Sequence, residues 1–176
     1  MREKKVIILD YLPNGYSGMR KIESIAQAIG FSQFTLLELS VGKEVAHGEI
    51  VDLGNESIVL GIRRKLQEKE LTNYAKGQFE HYIEEVVKAR ESEFVTFFNK
   101  ATRLSIRTHQ LELLPGIGKK HIQIILKERK VPFKSFEDIR KRTGMTVDVE
   151  KLIAKRIAQE MKGDEKNNLF LPKKMD

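Results

Sequence analysis

Two glycines, a proline and two lysines stand together in Pro115-Gly116-Ile117-Gly118-Lys119-Lys120, between segments that otherwise read as helix. Pro115 lacks the N–H that would continue a helix and Gly116 tolerates positive φ, so the first segment has to end here. Ile117 is expected to drop into the core and pin the turn. Gly118 then opens the next helix with no Cβ to obstruct its amides. The first turn of a helix carries N–H groups without intrahelical acceptors and roughly half a positive charge, which together favour an anion. Lys119 and Lys120 oppose that dipole and make sense when an anion arrives. The chemistry predicted for Gly116, Ile117, Gly118, Lys119 and Lys120 is capture of a backbone phosphate by main-chain donors. Taken alone, Pro-Gly-x-Gly is also a tight helix–helix turn.

No other constellation points to catalysis. The chain has no cysteine, which excludes disulfides, thiolate nucleophiles and Cys-based zinc sites. His47, His81, His109 and His121 are scattered without metal-ligand spacing, and Gly116–His121 lacks the spacing and the upstream strand of a P-loop. Asp138 lies downstream of the turn, where some base-excision glycosylases carry a catalytic Asp, but it reads better as a helix cap. The expectation is therefore a binder and not an enzyme, with no cofactor and no metal. The second candidate cluster is Ile62-Arg63-Arg64-Lys65, whose three cations sit on a predicted strand. Tyr11, Tyr16, Phe31 and Phe34, beside Arg20 and Lys21, are a candidate stacking platform for single strands; the competing reading places the phenylalanines in the core.

Charge distribution agrees with a polyanionic partner. The 176 residues carry a formal charge of +7, yet residues 1–70 hold 10 Lys/Arg against 10 Asp/Glu, and residues 108–176 hold 16 against 10. Most of the excess lies around and after the turn, which fits nucleic acid. No apolar run reaches the roughly 20 residues that span a bilayer. The short apolar stretch after Lys5 ends at an Asp, unlike a secretory signal, so a cytoplasmic location is expected.

The elements that must position these residues fall into two kinds. Residues 1–70 read as five short strands, in "KKVIILDYL", "SIAQAIGF", "FTLLELSV", "GEIVDLG" and "SIVLGIRR", with Ile58, Leu60 and Ile62 on one face of the last. Closure into a small antiparallel barrel would remove the edges of so few strands, and an open sheet covered by later helices is the alternative. Residues 71–105 read as connecting helices, with Phe79, Tyr82, Ile83, Val86 and Val87, and then Phe94, Phe97, Phe98 and Ala101, at helical spacing. Residues 106–163 read as two helical pairs. Thr108 is the predicted cap of a helix running to Leu114, Ser135 and Asp138 have capping-box spacing, and Gly144 ends that helix. The last helix turns Val149, Leu152, Ile153 and Ile157 inward. Residues 164–176 are expected to be a mobile tail, with docking of Leu169, Phe170 and Leu171 as the alternative.

The string from Leu111 to Leu126, with Leu111 and Leu114 before the turn and Ile122, Ile125 and Leu126 after it, resembles the helix-hairpin-helix motif. That resemblance implies phosphate binding through the Gly-Ile-Gly amides without sequence preference. Ile122 stands where that motif usually has Ala. Residues 133–162 resemble its degenerate partner repeat, whose turn at Gly144-Met145 lacks the second glycine. Across nearly the whole chain, "VIILDYLPNGY", "AQAIG", "FTLLEL", "HQLELLPGIGKKH" and "FKSFEDI" resemble the archaeal domain-of-unknown-function 655 family. The resemblance implies an α+β fold: a small five-stranded OB-like β-barrel, then a double helix-hairpin-helix unit, in a nucleic-acid-binding protein of RNA or structured DNA. An adaptor that uses the helical pairs to bind protein is the alternative function.

Overall fold

β-branched and aliphatic runs separated by Gly, Pro and Asn make the first third of the chain a sheet. The structure, a computed structural model, describes residues 2–172. The chain divides into two compact units, Met1–Ile83 and Glu84–Asp176. In the first, β1 (Lys5–Leu12), β2 (Ile25–Gly30), β3 (Leu36–Val41), β4 (Ile50–Asp52) and β5 (Val59–Lys65) form one sheet in the order β4-β1-β2-β3-β5, every neighbouring pair antiparallel. The sheet is a curled half-barrel. Its edges, β4 and β5, do not pair with each other among the described residues, so the expected closed barrel gives way to the open-sheet alternative.

β2 and β3 are buried along their whole length, which means that both faces are covered. On the inner face Val6, Ile8, Ala26, Ala28, Leu37, Leu39, Val41, Val51 and Val59 pack into one cluster. The opposite face carries the polar residues Gln27, Glu38 and Ser40. β5 departs from the sequence reading. Leu60 and Ile62, read on one face with Ile58, are 65% and 54% exposed, while Val59 is buried. The β3–β5 pairing shifts register between Glu38 and Leu39 and again between Ser40 and Val41, so period two does not persist along the strand.

The long helix α1 (Asn73–Ala89) starts at Thr72, whose Oγ1 accepts from Ala75 N–H at 3.1 Å and donates to Asp10 at 2.5 Å. Its buried residues Ala75, Phe79, Ile83, Val86 and Val87 follow helical spacing. α2 (Glu91–Lys100) buries Phe94, Val95 and Phe98. The second unit continues with α3 (Lys119–Glu128), α4 (Phe136–Thr143) and α5 (Val149–Lys162), α4 packing against both its neighbours.

The helix expected from Thr108 to Leu114 is a single 3-10 turn, Gln110–Leu113. Thr108 is not its cap: His109 Nδ1 accepts from Leu111 N–H at 3.1 Å. A bridge between Arg103 and His109 and the bond from Gln110 N–H to Thr102 O keep the chain extended to that point. Pro115 stops it soon after, so one turn is all that fits.

Ser135 and Gly144 act as expected. Ser135 Oγ accepts from Asp138 N–H at 3.0 Å, and Gly144, at φ +70°, closes α4. The reciprocal bond of a capping box goes one residue astray, because Asp138 accepts from Lys134 N–H. Leu169, Phe170 and Leu171 dock on the second unit, the arrangement given above as the alternative to a mobile tail; residues 173–176 lie outside the described residues. The buried carboxylate of Glu160 accepts from Leu169, Phe170 and Leu171 N–H at 2.6, 3.0 and 3.0 Å. Phe170 stacks edge-on against Phe94 and Phe97, with centroids at 5.4 and 4.9 Å.

Candidate functional site

The turn between Leu114 and Lys119 is built by three local choices. Leu114 N–H bonds back to Leu111 O at 3.2 Å, and Ile117 N–H to Leu114 O at 3.2 Å. Gly116 takes φ +84°, a region that any side chain would strain. Ile117 is buried as expected and anchors the loop.

Gly118 is different. It is the N-cap of α3 with φ −99° and ψ 175°, an extended conformation open to any residue. A Cβ built there meets nothing within 4 Å. Neither the backbone nor the packing asks for glycine at 118. The N–H groups of Gly118, Lys119, Lys120 and His121 have no acceptor within the chain among the described residues, and no side chain caps the helix. Lys119 and Lys120 are exposed and form no ion pair among those residues. The start of α3 thus offers unpaired donors, a helix dipole and two cations, with no acid in the first turn.

The second helical pair does not reproduce this. α5 begins at Asp148, which pairs with Arg140 at 3.3 Å and Lys151 at 3.4 Å, and Glu150 lies in its first turn. Two carboxylates at that helix start oppose an anion.

The Arg63-Arg64-Lys65 cluster is mostly neutralised. Arg63 contacts Glu23 at 2.6 Å and Glu38 at 3.0 Å, and Arg64 contacts Glu38 at 3.2 Å and Glu70 at 2.5 Å. The guanidinium of Arg64 holds Glu70 below the usual carboxylate range. Lys65 is exposed and unpaired among the described residues. Two residues of the Tyr and Phe platform are drawn into the fold. Phe34 is buried, and Tyr16 donates to Glu38 at 3.0 Å and accepts from Gln27 at 2.9 Å, burial pushing its hydroxyl above the ordinary tyrosine value. In the same unit His47 stacks against Tyr74, centroids 4.4 Å apart, and His47 is held by Asp10 at 3.1 Å.

A residue that the sequence did not single out steadies the turn. Arg156, buried on α5, donates to Leu113 O at 3.3 Å and to Glu160 at 2.9 Å, and its guanidinium also reaches Asn167 O. One side chain therefore ties the 3-10 turn to α5 and to the docked tail. Its apolar neighbours on α5 resemble any amphipathic helix, and the carbonyl it holds, that of Leu113, lies 43 positions away in sequence.

A curled antiparallel sheet in one unit and short helices in the other define a mixed α+β protein. The chain belongs to the family described as Protein of unknown function (DUF655), whose model matches residues 2–172. It is 36% identical over 169 residues to uncharacterized protein MJ0038 of Methanocaldococcus jannaschii, covering 93% of this chain and 76% of that protein. The crystal structure of Af1531 from Archaeoglobus fulgidus, assigned to the same family, matches with a TM-score of 0.89 and 39% identity, covering 97% of this chain and 100% of that one.

Proposed function

We propose that this protein binds nucleic acid without sequence preference, holding a backbone phosphate on the main-chain N–H groups around Gly116 and Gly118 with Lys119 and Lys120 as counter-charges. One observation carries this reading: Gly118 is a glycine that neither its φ and ψ nor its surroundings require. A ligand that approaches the amides closely does require it. On this reading the segment from Gln110 to Glu128 is a helix-hairpin-helix whose first helix is shortened to one 3-10 turn. The half-barrel is OB-like in strand number and in β1 pairing with both β2 and β4; it departs where β5 runs antiparallel to β3. The protein is a cytoplasmic binder of RNA or structured DNA rather than an enzyme.

The alternative is an adaptor that binds protein through the helical pairs; the exposed Leu60 and Ile62 on edge strand β5 are a further surface a protein partner could cover. Titration of matched single- and double-stranded RNA and DNA across a range of salt separates the two. If two or three phosphates meet the turn, log affinity should fall against log salt with a slope of about −2 to −3. Lys119→Ala with Lys120→Ala should flatten that slope and weaken all sequences alike. No binding at low salt would favour the adaptor.

A further inference from the structure

We propose a second nucleic-acid contact in the same unit: the turn from Arg103 to His109 presents Ile106 as an apolar wedge that enters between bases, while Lys100, Arg103 and Arg107 hold the flanking phosphates. The proposal rests on the nucleic-acid reading above and concerns a surface that reading does not use.

Ile106 is 92% exposed, more than any other large apolar residue among those described, and Leu104 beside it is also exposed. Single exposed apolar residues are common on proteins. This one is held out by a turn whose polar groups are paired among themselves. Leu104 and Ser105 N–H both bond to Thr108 O, at 2.8 and 3.2 Å. Ser105 Oγ accepts from Arg107 and Thr108 N–H, and Arg103 donates to the carbonyl of Ile106 at 3.0 Å. Four of the loop's N–H groups are paired within it, and the side chain at its tip is 92% exposed. Such a side chain gains free energy only when something covers it.

Charge says what that is. From Phe94 to Leu111 the chain has no Asp or Glu, yet it carries Lys100, Arg103 and Arg107. None of these three pairs with a carboxylate among the described residues. An isoleucine between unpaired cations matches a polyanion with apolar layers inside it, which describes stacked bases; apolar side chains are known to part base steps in this way. A membrane surface would need a broader apolar face than Ile106 and Leu104 supply.

The base of this turn is joined to the phosphate-binding one. Thr102 N–H bonds to Gln110 Oε1 at 2.8 Å and Gln110 N–H to Thr102 O at 2.9 Å, and Gln110 opens the 3-10 turn that runs into Pro115. Two contacts on one frame would fix the register of the strand between them.

Ile106→Ser tests the wedge in the full chain, since an exposed side chain contributes little to folding. The probes are RNA and DNA duplexes that carry 2-aminopurine beside an unpaired base, and phosphatidylserine–phosphatidylcholine vesicles as the competing surface. The expected result is roughly ten-fold weaker nucleic-acid binding, the scale of one apolar side chain left unburied. The salt slope should stay unchanged because no charge is lost, and so should Tm. The parent should brighten 2-aminopurine and the variant should not. A variant that matches the parent in affinity and fluorescence overturns the wedge and leaves the phosphate-binding turn standing. A parent that binds no nucleic acid overturns both. Vesicle binding that depends on Ile106, with nucleic-acid binding indifferent to it, overturns the wedge in favour of a membrane contact.

Discussion

At the scale of single residues, what matters is which conformations and protonation states the turn demands. Gly116 and Gly118 are two residues apart in one motif, yet only Gly116 is explained by its backbone; Gly118 is the residue on which the proposed phosphate contact rests. His109 is as specific in another way. Its Nδ1 has to be unprotonated to accept from Leu111 N–H, and burial, helped by the nearby Arg129, holds its pKa below the ordinary histidine value. In the unfolded chain the ring takes up a proton near pH 6.5, while in the folded protein it does so only at lower pH. Between those two values the unfolded state binds more protons, so stability falls as pH falls. Tm should therefore decline from about pH 7 to about pH 5, and His109→Asn, which keeps a capping oxygen, should flatten that decline. Parallel Tm profiles for the two proteins would show that His109 is not the group responsible.

Among the elements, α5 holds the most together. The Arg156–Glu160 pair is almost fully buried and collects three tail N–H groups as well as the carbonyl of Leu113. Removing one member of such a pair leaves the other charged and unpaired, at a cost of about 3–5 kcal/mol. Glu160→Ala should lose about that much in urea denaturation, whereas Glu165→Ala, which removes the more exposed partner of Arg156, should lose less than about 1 kcal/mol. Equal losses would contradict the role given to Glu160. Much of this architecture was legible beforehand. The five strands, the start of α3 at Gly118, the cap at Ser135 and the stop at Gly144 are all written in local patterns. The exposure of Leu60 and Ile62 was not, because two register shifts against β3 break the alternation on an edge strand. The docking of Leu169, Phe170 and Leu171 was legible as an alternative, but its anchor, the buried carboxylate of Glu160, was not. Arg63 and Arg64 read as a free basic cluster because Glu23 and Glu38 lie 40 and 26 or fewer positions away along the chain; Glu70, six positions beyond Arg64, is the one nearby partner.

For the molecule as a whole, charge and donors concentrate in the same half of the sequence. Residues 1–70 are balanced, with their two central arginines paired to carboxylates, while residues 108–176 carry most of the net +7 together with the unpaired amides of α3. The account therefore stands or falls on the turn. Its most direct test is Gly118→Val in the full chain, with affinity for an RNA and a DNA probe measured beside the melting temperature. The extended φ and ψ and the open space at 118 let valine fold in place, at most losing a poorer N-cap, so Tm should stay within about 5 °C. A β-branched side chain over the amides should keep phosphate away, and affinity should fall at least roughly ten-fold for both probes, the value of one charge-assisted hydrogen bond or more. A folded Gly118→Val protein that binds both probes as tightly as the parent would contradict the account.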